Sequence, residues 1–205
     1  MQSVRRTFAL ASTILVLGVT HTASAAVPEA VQKAMKDATN PVVTMTTTLG
    51  DITIELYKKE APKTVANFLA YVKNGHYEGT VFHRVMANFM IQGGGLDVNY
   101  KEKPALPPIV NESTNGLSNK VGTLAMARTN APNSATAQFF INVGTKNSFL
   151  DKAESQDGVG YCVFGKVVGG MDVVDKIKAV KVAQTQVSEG QPLVPVVIKK
   201  VTVVE

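Results

Sequence analysis

Cysteine is all but absent: Cys162 is the one thiol in 205 residues, which excludes an internal disulfide. It stands in the apolar run Tyr161-Cys162-Val163-Phe164, so a buried, inert side chain is expected there. Histidine is nearly as scarce. Beyond His21 only His76 and His83 occur, neither near a cysteine or a carboxylate pair at metal-ligand spacing, so the sequence offers no metal site. No Gly-x-Ser-x-Gly turn is present, and a cysteine hydrolase pairing Cys162 with His83 lacks its third group. No stretch interleaves clustered Lys/Arg with stacking aromatics, and a formal charge of +5 is too mild to argue for nucleic acid. Internal repeats and low-complexity segments are also missing. The one sustained apolar run, Phe8 to Val19, is well short of the ~20 residues that span a bilayer.

That run belongs to a recognisable pattern. Arg5 and Arg6 precede it and the small-residue motif Ala23-Ser24-Ala25 follows it, the layout of a cleavable export signal over residues 1–25. The arginine pair loosely resembles a twin-arginine signal, which leaves the export route open. Cleavage after Ala25 leaves 180 residues, enough for one domain, and takes Arg5 and Arg6 from the balance, so the charge falls to +3. A short lead-in over 26–40, helical from Pro28 to Asp37, is expected before a single domain at 41–205. No stable membrane association is expected once the signal is removed.

Within the domain, Val42 to Thr47 and the alternating Ile52, Ile54 and Leu56 form a hairpin about Leu49-Gly50-Asp51. Pro62 opens a helix whose Val65, Phe68, Leu69 and Val72 share a face before Gly75 ends it. Val81 to Met86, Phe89 to Gln92, Gly122 to Ala127, Gln138 to Val143 and Tyr161 to Val167 have the length and apolar content of strands. A second helix runs from Met171 to Ala179, and Pro195 to Val204 is a last strand. Gly93-Gly94-Gly95 lacks the rest of a phosphate-binding fingerprint, so a tight turn is expected. About eight strands and two helices are most economically a mostly β fold: a closed eight-stranded antiparallel β-barrel capped by two α-helices.

What remains for chemistry is one cation among apolar side chains. Strand periodicity puts Phe82 and Arg84 on one face and His83 on the other, and lets Arg84 meet Gln92 on the next strand. Periodicity alone leaves Arg84 equally suited to a surface ion pair. The segments Val81-Phe82-His83-Arg84-Val85-Met86-Ala87-Asn88-Phe89-Met90-Ile91-Gln92-Gly93-Gly94, Gly122-Thr123-Leu124-Ala125-Met126-Ala127-Arg128, Ala137-Gln138-Phe139-Phe140-Ile141-Asn142 and Val163-Phe164-Gly165-Lys166-Val167 resemble, in order, the signature blocks of cyclophilins. The resemblance is greatest to the periplasmic cyclophilins of Gram-negative bacteria.

The resemblance implies peptidyl-prolyl cis/trans isomerase activity with no cofactor, in the periplasm, on unfolded or partly folded proline-containing polypeptides. By position it makes Arg84 the catalytic cation, with Phe89 and Gln92 beside it, Gln92 bonding the substrate backbone. Phe89, Met90, Phe140 and Leu150 would hold the proline ring, Ala127, Arg128 and Gln138 would flank the residue before it, and His83, Phe149 and Tyr161 complete the expected substrate-binding set. Phe149 stands where many members have Trp, which argues against tight cyclosporin binding, and Tyr161 where many have His. Lys152 to Gly160 is expected to be a surface loop without an assigned role. A monomer is expected, since no heptad or extended apolar stripe demands a partner. The rival reading is a chaperone module that binds proline peptides and turns them over incidentally.

Overall fold

A computed structural model describes residues 40–186 and 188–204. The export segment, and all of the lead-in except Asn40, lie outside the described residues. Ten strands, two α-helices and a 3-10 turn follow in the order β1 (Val42–Thr47), β2 (Gly50–Leu56), α1 (Pro62–Lys73), β3 (Thr80–Met86), β4 (Met90–Asp97), β5 (Thr123–Met126), β6 (Phe139–Asn142), the 3-10 turn (Asn147–Leu150), β7 (Val163–Gly169), α2 (Met171–Lys178), β8 (Val182–Ala183), β9 (Gln191–Pro192) and β10 (Val197–Val204). Eight of the strands close into an antiparallel barrel in the order β1-β10-β3-β4-β6-β5-β7-β2, and β8 and β9 form a separate ribbon. The expected architecture is the one observed.

Alternation in the strands fills the barrel. Val43, Met45, Ile52, Ile54, Phe82, Ile91, Phe139, Ile141 and Phe164 are all fully buried in one core cluster. The first helix seats Val65, Phe68 and Tyr71 on that core, with the Phe68 ring 5.4 Å from Phe164 and edge-on to Phe139 at 5.9 Å. Burying one such phenyl ring contributes ~2 to 3 kcal/mol. Leu69 and Val72 are only partly buried and Tyr71 takes the deeper place, because its hydroxyl accepts a 2.8 Å bond from the Leu106 amide and so can enter the core with its polar end satisfied. Ala61, with only a methyl group, cannot cap the helix. Glu112, from the long connection after β4, supplies the cap instead, its carboxylate accepting from the amides of Lys63 at 3.2 Å and Thr64 at 2.8 Å. The second helix buries Val173, Val174 and Ile177 as the spacing predicted.

Two local expectations fail. Gly93-Gly94-Gly95 makes no turn but lies inside β4, where Gly94 has φ +87° and a Cβ would sit 2.8 Å from the Phe139 ring. Gly93 and Gly94 serve a close approach to aromatic rings, and Gly95 a close approach to the Gln138 side chain. Alternation in β3 also breaks: Phe82 pairs with Gly93 and Arg84 with the very next residue, Gln92, so His83 is an extra residue in a bulge. Phe82 therefore points into the core while Arg84 turns outward, opposite to the shared face that strict alternation predicts.

Candidate active site

The bulge matters because of what lies on the other face of the same wall. Ile91, Phe139, Ile141, Leu124 and Met126 point into the barrel, so their neighbours Met90, Phe140 and Ala125 point out and pack, with Leu150 and Val163, into a second buried apolar cluster. In the β4–β6 register Met90 faces Asn142 and Gln92 faces Phe140, which brings the two apolar side chains and one amide onto a single patch. The bulge then sets Arg84 directly opposite Gln92.

A cleft of about 320 Å³ opens over this patch, lined by Arg84, Phe89, Met90, Gln92, Ala127, Arg128, Phe140, Phe149, Leu150 and Tyr161. Its floor is Met90, Phe140 and Leu150, all buried. The Arg84 guanidinium lies 6.0 Å from the centre of the Phe89 ring and, among the described residues, has no ion pair or hydrogen bond. A half-buried cation with open donors beside an apolar floor can bond a polar atom of whatever fills the cleft. Gln92 donates to the Gln138 side chain at 2.9 Å. Gln138 itself lines an adjoining cleft of about 320 Å³ that shares Gln92, Ala127 and Arg128 with the first.

His83 stands apart from the rest of the set. It does not line the cleft; it is buried with its Nδ1 unpartnered. Burial, reinforced by the Arg84 charge beside it, lowers its pKa to about 4, so the ring is neutral near pH 7. The bulge that turns Arg84 toward the cleft is what takes His83 away from it. Cys162 is buried as expected, and its thiol, pushed up to about 11 chiefly by burial, is the opposite of an activated nucleophile.

Three features of the rim were not visible in the sequence. The 3-10 turn that delivers Phe149 and Leu150 is held by a run of buried amides. Asn147 donates to Asn142 at 2.6 Å and to the Phe89 carbonyl at 2.8 Å, Asn142 donates to Asn119 at 3.1 Å, and Asn119 donates to Asp151 at 2.8 Å. The signal was an asparagine ending the apolar strand Phe139-Phe140-Ile141-Asn142, where a buried amide needs partners. Phe149, half exposed, stacks on Phe89 with ring centres 5.6 Å apart. Arg128 lies 4.4 Å over the Tyr161 ring, which meets Phe140 edge-on, and it is ion-paired to Asp157 of the surface loop. Among the described residues no three His, Cys, Asp or Glu side chains converge as metal ligands.

Residues 42–203 match the family model of the cyclophilin type peptidyl-prolyl cis-trans isomerases. The chain belongs to that family. Peptidyl-prolyl cis-trans isomerase B of Escherichia coli is 54% identical over 165 residues, 80% of this chain and 100% of that protein. Peptidyl-prolyl cis-trans isomerase A of Dickeya dadantii is 43% identical over 196 residues, 96% of this chain and 97% of that one. A solved cyclophilin-type isomerase of Cryptosporidium parvum superposes with a TM-score of 0.66 at 25% identity, covering 81% of this chain and 98% of that one. A second structure from that organism, obtained in the presence of the dipeptide Ala-Pro, gives 0.65 at 25% identity over 80% and 99%. The cyclophilin assignment makes this chain a peptidyl-prolyl isomerase.

Proposed function

We propose that this cyclophilin accelerates rotation of X-Pro bonds in exported polypeptides, in the periplasm and as a monomer, with Arg84 stabilising the twisted bond and no covalent intermediate. The open guanidinium above an apolar floor carries the reading. Amide resonance imposes a barrier of ~18 to 20 kcal/mol, and nothing need be broken to cross it. As the bond twists, the proline nitrogen loses conjugation and regains a lone pair, so a donor aimed at it binds the twisted state better than either planar one. Guanidinium suits this task because it stays protonated and offers several donors in a fixed plane. Met90, Phe140 and Leu150 would grip the ring and exclude water, while Gln92 would hold the substrate backbone and so the carbonyl about which rotation occurs. The Ala-Pro dipeptide used with the Cryptosporidium relative supports X-Pro as the ligand class. The basic start, apolar run and Ala23-Ser24-Ala25 motif support export.

One experiment tests export, activity and mechanism together. The full-length gene is expressed in a Gram-negative host, protein is purified from the periplasmic fraction and weighed by mass spectrometry, and the cis-to-trans rate of an Ala-Pro peptide is followed with and without it. We expect a chain beginning at Ala26 that speeds the reaction. Arg84→Ala should keep its circular dichroism and lose about a hundredfold in kcat/KM, the equivalent of ~3 kcal/mol for a charge-assisted bond made in the transition state. Arg84→Lys should recover only part, since an ammonium is a point donor. A folded Arg84→Ala protein at full rate would remove the proposed mechanism. A well-folded wild type without activity on the peptide would favour the proline-binding module instead.

A further inference from the structure

The loop 152–160 contributes one side chain to the site without lining the proline cleft itself. Arg128 lines both clefts, so with Gln92 and Ala127 it forms the saddle between them. A chain passing from one cleft to the other must cross it. Yet the Arg128 side chain is only 3% exposed, because its donors are spoken for. Nε bonds the Gly160 carbonyl at 3.0 Å, Nη1 bonds the Thr129 carbonyl at 3.0 Å, and Nη2 is paired to Asp157 Oδ2. Asp157 is aimed in turn: its Oδ1 accepts from the amides of Val159 at 2.9 Å and Gly160 at 3.3 Å. The loop carrying it closes back on its own start, so that a Cβ on Gly160, at φ +72°, would lie 2.5 Å from the Lys152 amide nitrogen. Asp151, just before it, is fixed by the Asn119 amide at 2.7 Å.

We propose that Asp157 is a positioning residue for substrate choice: its ion pair lays Arg128 flat on Tyr161 and neutralises the charge at the saddle, so that the residue next to proline is accepted with little regard to its sign. This rests on the isomerase reading above. The pair is the only one in the described residues that joins the cleft to a loop, the other two lying within α2. Desolvated on the Arg128 side, it holds the guanidinium together with two carbonyls, three acceptors on three different nitrogens, which a lysine's single nitrogen would not match.

The test uses the mature enzyme with Asp157→Asn and a matched pair of peptides, Glu-Pro and Lys-Pro. Asparagine keeps an oxygen for the loop amides and removes the charge, leaving an uncompensated cation at the saddle. A unit charge acting through water over roughly 8 Å changes occupancy about two- to threefold, in opposite directions for the two peptides. We therefore expect the kcat/KM ratio of Glu-Pro to Lys-Pro to rise about fivefold in the variant, chiefly through KM, and the rise to shrink as salt screens the charge. Asp157→Glu should return the ratio toward wild type, and Asp157→Ser serves in place of the asparagine variant if that one does not fold. An equal loss for both peptides, or an unchanged ratio in an active variant, would reduce Asp157 to a loop staple and overturn the proposal. A wild type inactive on both peptides would overturn the isomerase reading itself, and the positioning role with it.

Discussion

Arg84 and His83 are adjacent in sequence and opposite in circumstance, and one extra residue in β3 accounts for both. Arg84 reaches solvent and keeps its donors open, whereas His83 is sealed in with an unpartnered Nδ1 and a pKa of about 4. The consequence for stability has a definite sign. Between about pH 4 and 6.5 an unfolded chain holds a proton on this histidine that the folded chain does not, so stability should be full above 6.5 and fall as pH drops through that window. The shift corresponds to on the order of 3 kcal/mol at most. Urea titrations at pH 7.5 and 4.5 should show the loss in wild type and a distinctly smaller one in His83→Gln; an equal loss in both would mean that other groups carry the acid sensitivity.

Elements, unlike single residues, answered well to pattern. The hairpin β1–β2, both helices and the last strand follow from periodicity, the proline at a helix start and runs of β-branched residues, because each is settled within about ten residues. The failures are where distant contacts decide. Nothing in Phe82-His83-Arg84 announces a bulge, and three consecutive glycines look like a turn until Phe139 and Tyr77 are known to lie against Gly94 and Gln138 against Gly95. Of the expected site, the family resemblance placed ten residues that the structure brings around one cleft, and the bottom-up periodicity pointed to the Arg84–Gln92 pairing. The asparagine run beneath the 3-10 turn and the Asp157 pair depend on loops whose return paths no local pattern encodes. Gly94→Ala tests the glycine argument: with φ at +87° and Cβ approaches of 2.8 and 2.9 Å to two rings, it should cost about 3 kcal/mol or more, read as a lower urea midpoint at unchanged slope. A loss of under 1 kcal/mol would mean that Phe139 and Tyr77 can give way.

The barrel depends on the pairing of its first strand with its last. Strand β10 lies between β1 and β3, pairing Val42 with Val204 and Ile198 with Thr80, so the last eight strand residues close a barrel that the first strand began. Closure leaves the eight strands without a free edge, and it is also the longest-range pairing in the fold, with the largest loop-closure cost. Ending the chain at Val196 removes Ile198 and Val201 from the core and strips partners from both β1 and β3. The lost burial alone amounts to ~4 kcal/mol, a large part of the 5 to 15 kcal/mol by which domains are stable, before two open edges are counted. The truncated protein should therefore collect in the insoluble fraction, and any soluble remainder should bind a hydrophobic dye and unfold without a sharp transition. A soluble truncation with a cooperative melt would show instead that seven strands and two helices hold the core unaided, and that β10 seals the barrel without supporting it.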